Sequence, residues 1–311
     1  MKADFLMRSL MFVPAHNYRL LIHAADTEAD ILLLDIEDSA PYAENKQTAR
    51  ENIKNSVSAG LFRDKILFPR VNDQRSGQLL KDVYQLTIDG VKGFMYPKVK
   101  SADDIRFFSK LLETIEYEKS FPLNTFKIIP LIETANAVMN IQDICEACPE
   151  RLVAVAFGSE DFIVDIGGWH DAEGDNLFTA RSMIALGARA KGVIPIDTTH
   201  IQVHNLKQLK QILISSKKLG FEGMLVLHPK ELPLVHEYYS PSESDVQWAK
   251  EVMLLSDGIM ERGESVAIRN NKFIGPPIVK KAQIILDKQN MIEDKEYKLH
   301  GATNKYLLFD V

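Results

Sequence analysis

Glu37 with Asp38, Arg70 with Asn72, Lys98, Glu133, Glu160 with Asp161, Asp197 and His228 each stand at the end of a short apolar run. Carboxylates that converge on one place must either hold protons at neutral pH or share a cation. Oxygen donors without a His pair at ligand spacing suit a hard ion, Mg2+ or Mn2+. Such an ion takes one or two carboxylates, keeps some water, and leaves positions for a bidentate oxygen ligand such as a 2-keto acid. Arg70 can then hold a substrate carboxylate or stabilise charge developing on oxygen. The competing reading of the same residues is a ring of ion pairs. His228 divides evenly between packing and touching substrate, whereas His16, His23, His170, His200, His204 and His236 read as solvated or structural.

The elements that must position these groups follow from the runs themselves. They are residues 9–14, 31–37, 66–72, 93–98, 127–133, 152–158, 193–197 and 223–229. Each is too short for a free-standing helix and apolar on both alternating faces, which suits parallel strands buried on both sides. The gaps of 16 to 34 residues have helical spacing, as in Ala102, Ile105, Phe108, Leu112 and Ile115, so each can hold one crossover helix. Eight strands alternating with helices predict a (β/α)8 TIM barrel over residues 1–238, with the site at the C-terminal ends of the strands. No Gly-rich dinucleotide or P-loop pattern competes. Residues 239–311 read as a C-terminal helical extension, a lid or oligomer contact. Ser240 is expected to cap its first helix, with Pro241 at the first position and Glu243 completing a capping box. Gly275-Pro276-Pro277 leads into a last helix near Ile278 to Gln289.

Composition removes other classes. The 311 residues are 46% hydrophobic and 26% charged, with 37 Lys+Arg against 43 Asp+Glu and a net charge of −6. That excludes disorder, collagen and coiled coil. Without a Lys/Arg block, no dedicated nucleic-acid surface is expected. No stretch approaches the roughly 18 apolar residues of a membrane span, and Asp4 sits where a signal peptide needs its apolar region. The expectation is a cytoplasmic protein with no membrane partner. Cys145 and Cys148 form one C-x-x-C, too few ligands for tetrahedral zinc, and read as small side chains near a helix end before Pro149.

Several of these residues also carry a resemblance. Arg8-Ser9-Leu10-Met11-Phe12-Val13-Pro14, Leu34-Asp35-Ile36-Glu37-Asp38, Lys46 with Ala49-Arg50, Pro69-Arg70-Val71-Asn72, Tyr96-Pro97-Lys98, Ile132-Glu133-Thr134, Gly158-Ser159-Glu160-Asp161 and Leu227-His228-Pro229 occur in order. Together they resemble the citrate lyase β-subunit-like (CitE-like) branch of the HpcH/HpaI aldolase superfamily, which includes malyl-CoA and citramalyl-CoA lyases. The match runs over residues 7 to 290. It implies a Mg2+-dependent lyase that cleaves or forms a carbon–carbon bond in a 3-hydroxyacyl-CoA, with acetyl-CoA and a 2-keto acid as products. The resemblance places Glu133 and Asp161 on the metal, Arg70 on the keto-acid oxygens, and Glu37 and Asp38 around metal-bound water. It places Arg19, Lys46 and Arg50 near the CoA phosphates, and it implies a homotrimer or hexamer.

One segment departs from the pattern. Active members carry a tail motif, roughly Gly-x-x-Val-Asp-x-Pro, whose Asp enters a neighbouring subunit's site as acid/base. Here the segment is Lys272-Phe273-Ile274-Gly275-Pro276-Pro277-Ile278, with Gly275 at the Asp position. Glycine cannot transfer a proton, and the tail acids Glu264 and Asp287 lie 11 and 12 residues away. Thioester hydrolysis, a CoA- or metal-binding subunit without turnover, and a class II aldolase on free hydroxy-keto acids therefore stand as alternatives.

Overall fold

The structure, a computed structural model, describes residues 5–170, 174–260, 267–269 and 272–306. In chain order the elements begin β1 Ser9–Pro14, α1 Tyr18–Ala25, β2 Ile31–Asp35, α2 Ala43–Ser58, β3 Ile66–Leu67, α3 Leu79–Leu86, β4 Gly93–Val99 and α4 Ala102–Glu118. They continue β5 Lys127–Ile132, α5 Ala135–Met139, α6 Ile141–Glu146, β6 Ala154–Phe157, α7 Ser159–Asp165, α8 Asp175–Ala190, β7 Ile194–Asp197, α9 Leu206–Leu219 and β8 Gly223–Val226. After these come α10 Leu232–Tyr239, α11 Glu243–Met260, β9 Ala267–Arg269, β10 Lys272–Ile274 and α12 Pro276–Tyr306.

β1 to β8 form one parallel sheet in the order β3-β2-β1-β8-β7-β6-β5-β4. Its two ends meet. Lys92 N–H donates to the Leu67 carbonyl at 3.0 Å, Met95 N–H to the Pro69 carbonyl at 3.0 Å, and Val71 N–H to the Met95 carbonyl at 3.2 Å. The (β/α)8 barrel expected from the eight runs is therefore present. The third run yields only two strand residues because Pro69 has no N–H to offer the ladder. The gaps after β5 and β6 each hold two helices rather than one.

Inward-facing Leu10, Ile31, Phe68, Met95, Ile129 and Leu225 fill the barrel, each contributing about 1.5–3 kcal/mol by its removal from water. At the N-terminal ends, strands approach closely at two glycines. A Cβ at Gly223 would lie 1.8 Å from the Met7 carbonyl oxygen, and one at Gly93 would lie 2.2 Å from that of Lys127. The outer layer carries buried ion pairs. Arg8 holds Asp30 through Nε at 2.9 Å and Nη2 at 2.8 Å. Arg151 holds Glu116 at 2.7 and 2.6 Å, and Arg181 holds Asp197 at 3.1 and 2.5 Å. Cys145 and Cys148 are both buried thiols that are not bridged to each other. The Cys148 thiol lies 3.2 Å from Ser109 Oγ.

Two compact units divide the chain, Met1–His236 and Glu237–Val311. In the second, α11 and α12 pack through Ala249, Val252 and Ala282, flanked by Trp248, Ile278 and Leu286, and β9 pairs antiparallel with β10. The cap of α11 is Ser242, not Ser240: Asp245 N–H donates to Ser242 Oγ at 3.1 Å, while Ser242 N–H donates to Asp245 Oδ2 at 3.0 Å. The capping box is thus shifted two residues from the Ser240/Glu243 pair, because Ser242 and Asp245 offer the same three-residue spacing. α12 extends well beyond the expected Gln289. Among the described residues, no helix is long and apolar enough to cross a membrane.

Candidate active site

β2 ends in Asp35, only 3% exposed, at the point where the chain turns toward α2. Its carboxylate accepts the N–H groups of Glu37 and Ser39 at 3.0 and 3.1 Å, which shapes that turn. It also accepts both arms of Arg70, from Nε at 2.7 Å and Nη2 at 2.8 Å. This fork-to-fork pairing fixes the guanidinium plane, and the Phe12 ring, 4.8 Å from the guanidinium carbon, backs it. The remaining arm, Nη1, points into the mouth, 3.1 Å from Glu37 Oε2 and 3.1 Å from Asp38 Oδ2.

Across the mouth, β5 delivers Glu133, 2% exposed, one residue past its end. One of its oxygens, Oε2, accepts the backbone N–H of Lys98 at 2.8 Å. Gly158, after β6, leaves the space this carboxylate occupies: a Cβ there would stand 2.6 Å from Glu133 Cγ and 3.1 Å from Oε1. Lys98 Nζ in turn pairs with Glu37 Oε1 at 2.7 Å. Asp161, in the first turn of α7, is exposed. Arg70, Glu133, Gly158 and Asp161 line a cavity of about 470 Å³, whose apolar wall includes Phe12, Leu131 and Leu225.

The charges at this mouth do not balance. Burial drives Glu133 upward, the neighbouring charges of Glu37 and Asp161 add to it, and its pKa reaches about 8. Burial likewise raises Glu37, against the pull of Arg70. Asp35 behaves oppositely: burial alone would raise it, but the doubly bonded Arg70 outweighs that and holds it below the usual carboxylate range. A site containing both a carboxylate held ionised and carboxylates burdened with excess negative charge fits a cation at the burdened end. Among the described residues, no three His, Cys, Asp or Glu side chains gather into a complete metal cage. Two carboxylates plus water and substrate oxygens are the usual protein share for Mg2+.

Six of the residues singled out from sequence, Glu37, Asp38, Arg70, Lys98, Glu133 and Asp161, therefore sit at one mouth. The proposed phosphate set does not come together. Arg50 is 2% exposed and paired with Asp82 at 2.6 Å. Lys46 directs its ammonium to the Ile36 carbonyl at 3.1 Å, the Glu37 carbonyl at 2.9 Å and Asn72 Oδ1 at 2.5 Å. Both hold the turn after β2 and the β3 end in place, so their cations are engaged within the chain, while Arg19 remains exposed on α1. Asp197 is engaged by Arg181, and His228 caps the turn at Pro229 by accepting the Lys230 N–H at 3.1 Å. His200 is buried between Glu231 and Gln208. Gly275 is buried just before α12, Asp287 on that helix accepts from Gln283 at 2.7 Å, and Glu264 lies outside the described residues. Asp35 and Gly158 were not singled out. The signal for Asp35 was a lone acid inside an otherwise apolar buried run.

Residues 8–229 match the family model described as HpcH/HpaI aldolase/citrate lyase. The chain belongs to this family. Membership puts it among carbon–carbon lyases of the HpcH/HpaI class, and the matched stretch spans the barrel and every residue of the mouth. The chain is 28% identical over 284 residues to the citrate lyase subunit beta of Escherichia coli strain K12, covering 91% of this chain and 93% of that protein. It is 28% identical over 299 residues to the human mitochondrial citramalyl-CoA lyase, covering 93% and 87%. A solved structure of a citrate lyase beta subunit from M. tuberculosis, complexed with oxaloacetate and magnesium, superimposes with a TM-score of 0.60 at 25% identity, covering 76% of this chain and 98% of that one.

Proposed function

We propose that the chain is a Mg2+-dependent lyase that cleaves or forms a carbon–carbon bond in a 3-hydroxyacyl-CoA of the malyl, citramalyl or citryl type. The products are acetyl-CoA and a 2-keto acid. The observation that carries this reading is Glu133, buried and raised to about 8 beside Glu37 and Asp161, across the mouth from an arginine arm that points into it. The names of the relatives, a citramalyl-CoA lyase and a citrate lyase subunit bound to oxaloacetate and magnesium, agree with that chemistry.

In this reading Glu133 and Asp161 hold Mg2+ or Mn2+. The ion supplies Lewis-acid polarisation of the oxygen that changes between hydroxyl and carbonyl. Arg70 Nη1 takes the keto-acid carboxylate or the developing oxyanion, with its plane already fixed by Asp35, so little reorganisation accompanies the reaction. Glu37 and Asp38 orient water at the rim. Arg19 is the exposed cation left for a CoA phosphate, and residues 239–311 act as a lid or as the contact of a homotrimer or hexamer in a cytoplasmic setting. Product detection with a panel of CoA esters, with and without EDTA, tests the reading: turnover that EDTA abolishes is expected, and turnover unaffected by EDTA refutes it.

Gly275 favours a second reading, a subunit that binds metal and CoA without turnover, because no proton can leave or reach that position. Gly275→Asp separates the two: a several-fold gain in lyase rate on a wild-type background of slow turnover means the missing acid is limiting. Binding of CoA without turnover in either form supports the second reading.

A further inference from the structure

Lys98 combines three unusual features. It is one of few non-glycine residues in the left-handed region, with φ of 55°, a conformation that an L side chain resists. It sits where β4 shifts register against β5, between Tyr96 and Val99, a bulge of the kind that redirects side chains at barrel rims. And it touches two separate acids of the mouth, one through its backbone and one through its side chain. Its N–H donates to Glu133 Oε2 at 2.8 Å, and its ammonium lies 2.7 Å from Glu37 Oε1.

The conformation explains the pairing. In a regular strand, Lys98 N–H would join the ladder to β5; the bulge turns it to the carboxylate that follows β5 instead. Pro97, which has no N–H, precedes it and loses nothing at the irregularity. With Oε2 fixed, Glu133 Oε1 faces the space kept open by Gly158. The ammonium acts on the other side. Arg70 already meets Asp35, Glu37 and Asp38. A second cation on Glu37 offsets part of that negative charge and leaves Arg70 with attraction to spare for an incoming anion.

We propose that Lys98 is the positioning residue of this site: its strained backbone orients Glu133 for the cation, and its ammonium neutralises Glu37 so that Arg70 stays available to an anionic substrate. The proposal rests on the lyase reading above and deepens it. Because the backbone serves the cation and the side chain serves the anion, removing the side chain must separate the two.

The test uses the full-length protein with Mn2+ and oxalate as probes, titrated calorimetrically, for wild type, Lys98→Ala, Lys98→Gly and Lys98→Arg. In Lys98→Ala, Mn2+ affinity stays within about threefold of wild type, because the N–H survives, while oxalate affinity in saturating Mn2+ falls about tenfold or more. Lys98→Arg restores most of the oxalate affinity. Lys98→Gly matches Lys98→Ala in binding but melts higher, because glycine adopts positive φ freely. Equal losses of Mn2+ and oxalate affinity in Lys98→Ala would overturn the division of labour, as would unchanged oxalate affinity or equal melting of the alanine and glycine forms. Wild-type protein that binds no Mn2+ would instead remove the lyase reading, and this inference with it.

Discussion

The outer layer of the barrel and its mouth solve the same problem in opposite ways. Around the outside, buried charges come in closed couples: Arg8 with Asp30, Arg50 with Asp82, Arg151 with Glu116 and Arg181 with Asp197. Glu116 shows the result. Burial pushes its carboxyl upward, yet hydrogen bonds from Arg151 and from the Phe126 and Asn124 N–H groups overcome that and hold it low. At the mouth, Arg70 and Lys98 face Asp35, Glu37, Asp38, Glu133 and Asp161, and Glu133 and Glu37 rise. Structural pairs balance within the chain, whereas the mouth carries more carboxylates than cations.

The sharpest way to break the comparison is to open a closed couple. Glu116→Ala leaves Arg151, 1% exposed, with a charge that nothing compensates, and unfolding free energy should drop by about 3–5 kcal/mol in urea titrations. A loss below about 1 kcal/mol would place that pair with ordinary surface ion pairs instead. At the mouth the large effect moves from stability to chemistry. Arg70→Lys keeps a charge but gives up the two-armed grip on Asp35 and the directed third arm. CoA-ester turnover should fall by about 10²–10³-fold, with a smaller stability loss than Glu116→Ala; turnover within about tenfold of wild type would remove Arg70 from the proposed chemistry.

The smallest expected effect is the most diagnostic because its sign reverses. Glu133 is raised from 4.5 to about 8 in the folded chain. Folding therefore favours its protonated form, and the stability it confers is full below 4.5 and lost as pH rises to about 8. Glu133→Gln should make the metal-free protein more stable than wild type at the upper end of that window, on the order of 2 kcal/mol, and should abolish stabilisation by Mg2+. Glu116, held low, works the other way: its contribution is present above its ordinary value and disappears as pH falls. A Glu133→Gln difference that stays flat across the window would mean the mouth is balanced after all.

Much of this was legible in the chain, and the parts that were not share a cause. Eight apolar runs predicted the barrel because strands buried on both faces leave that pattern regardless of context. Glu133, Asp161 and Arg70 were legible because barrel chemistry gathers where strands end. The partners of Arg50 and Lys46 were not legible, since a cation's type and position do not reveal them: Asp82 lies 32 residues from Arg50 and Asn72 lies 26 from Lys46. Asp197 looked like a mouth residue for the same reason, its Arg181 being on the preceding helix. The Ser240 cap failed more simply, because two serines two residues apart each had an acid at the right distance.

The barrel closes between β3 and β4, and that seam is short: β3 contributes two regular residues, and Pro69 cannot donate across it. Arg70 lies on one side of this join, and Glu133, just past the end of β5, lies beyond the other. Any ligand held by both spans the join from outside, as a cross-brace spans a gap in a hoop. Occupancy of the mouth would then be felt in the scaffold itself, as slower hydrogen exchange at the Val71 and Met95 amides that stitch the seam. A bound substrate would finish the ring as well as enter it.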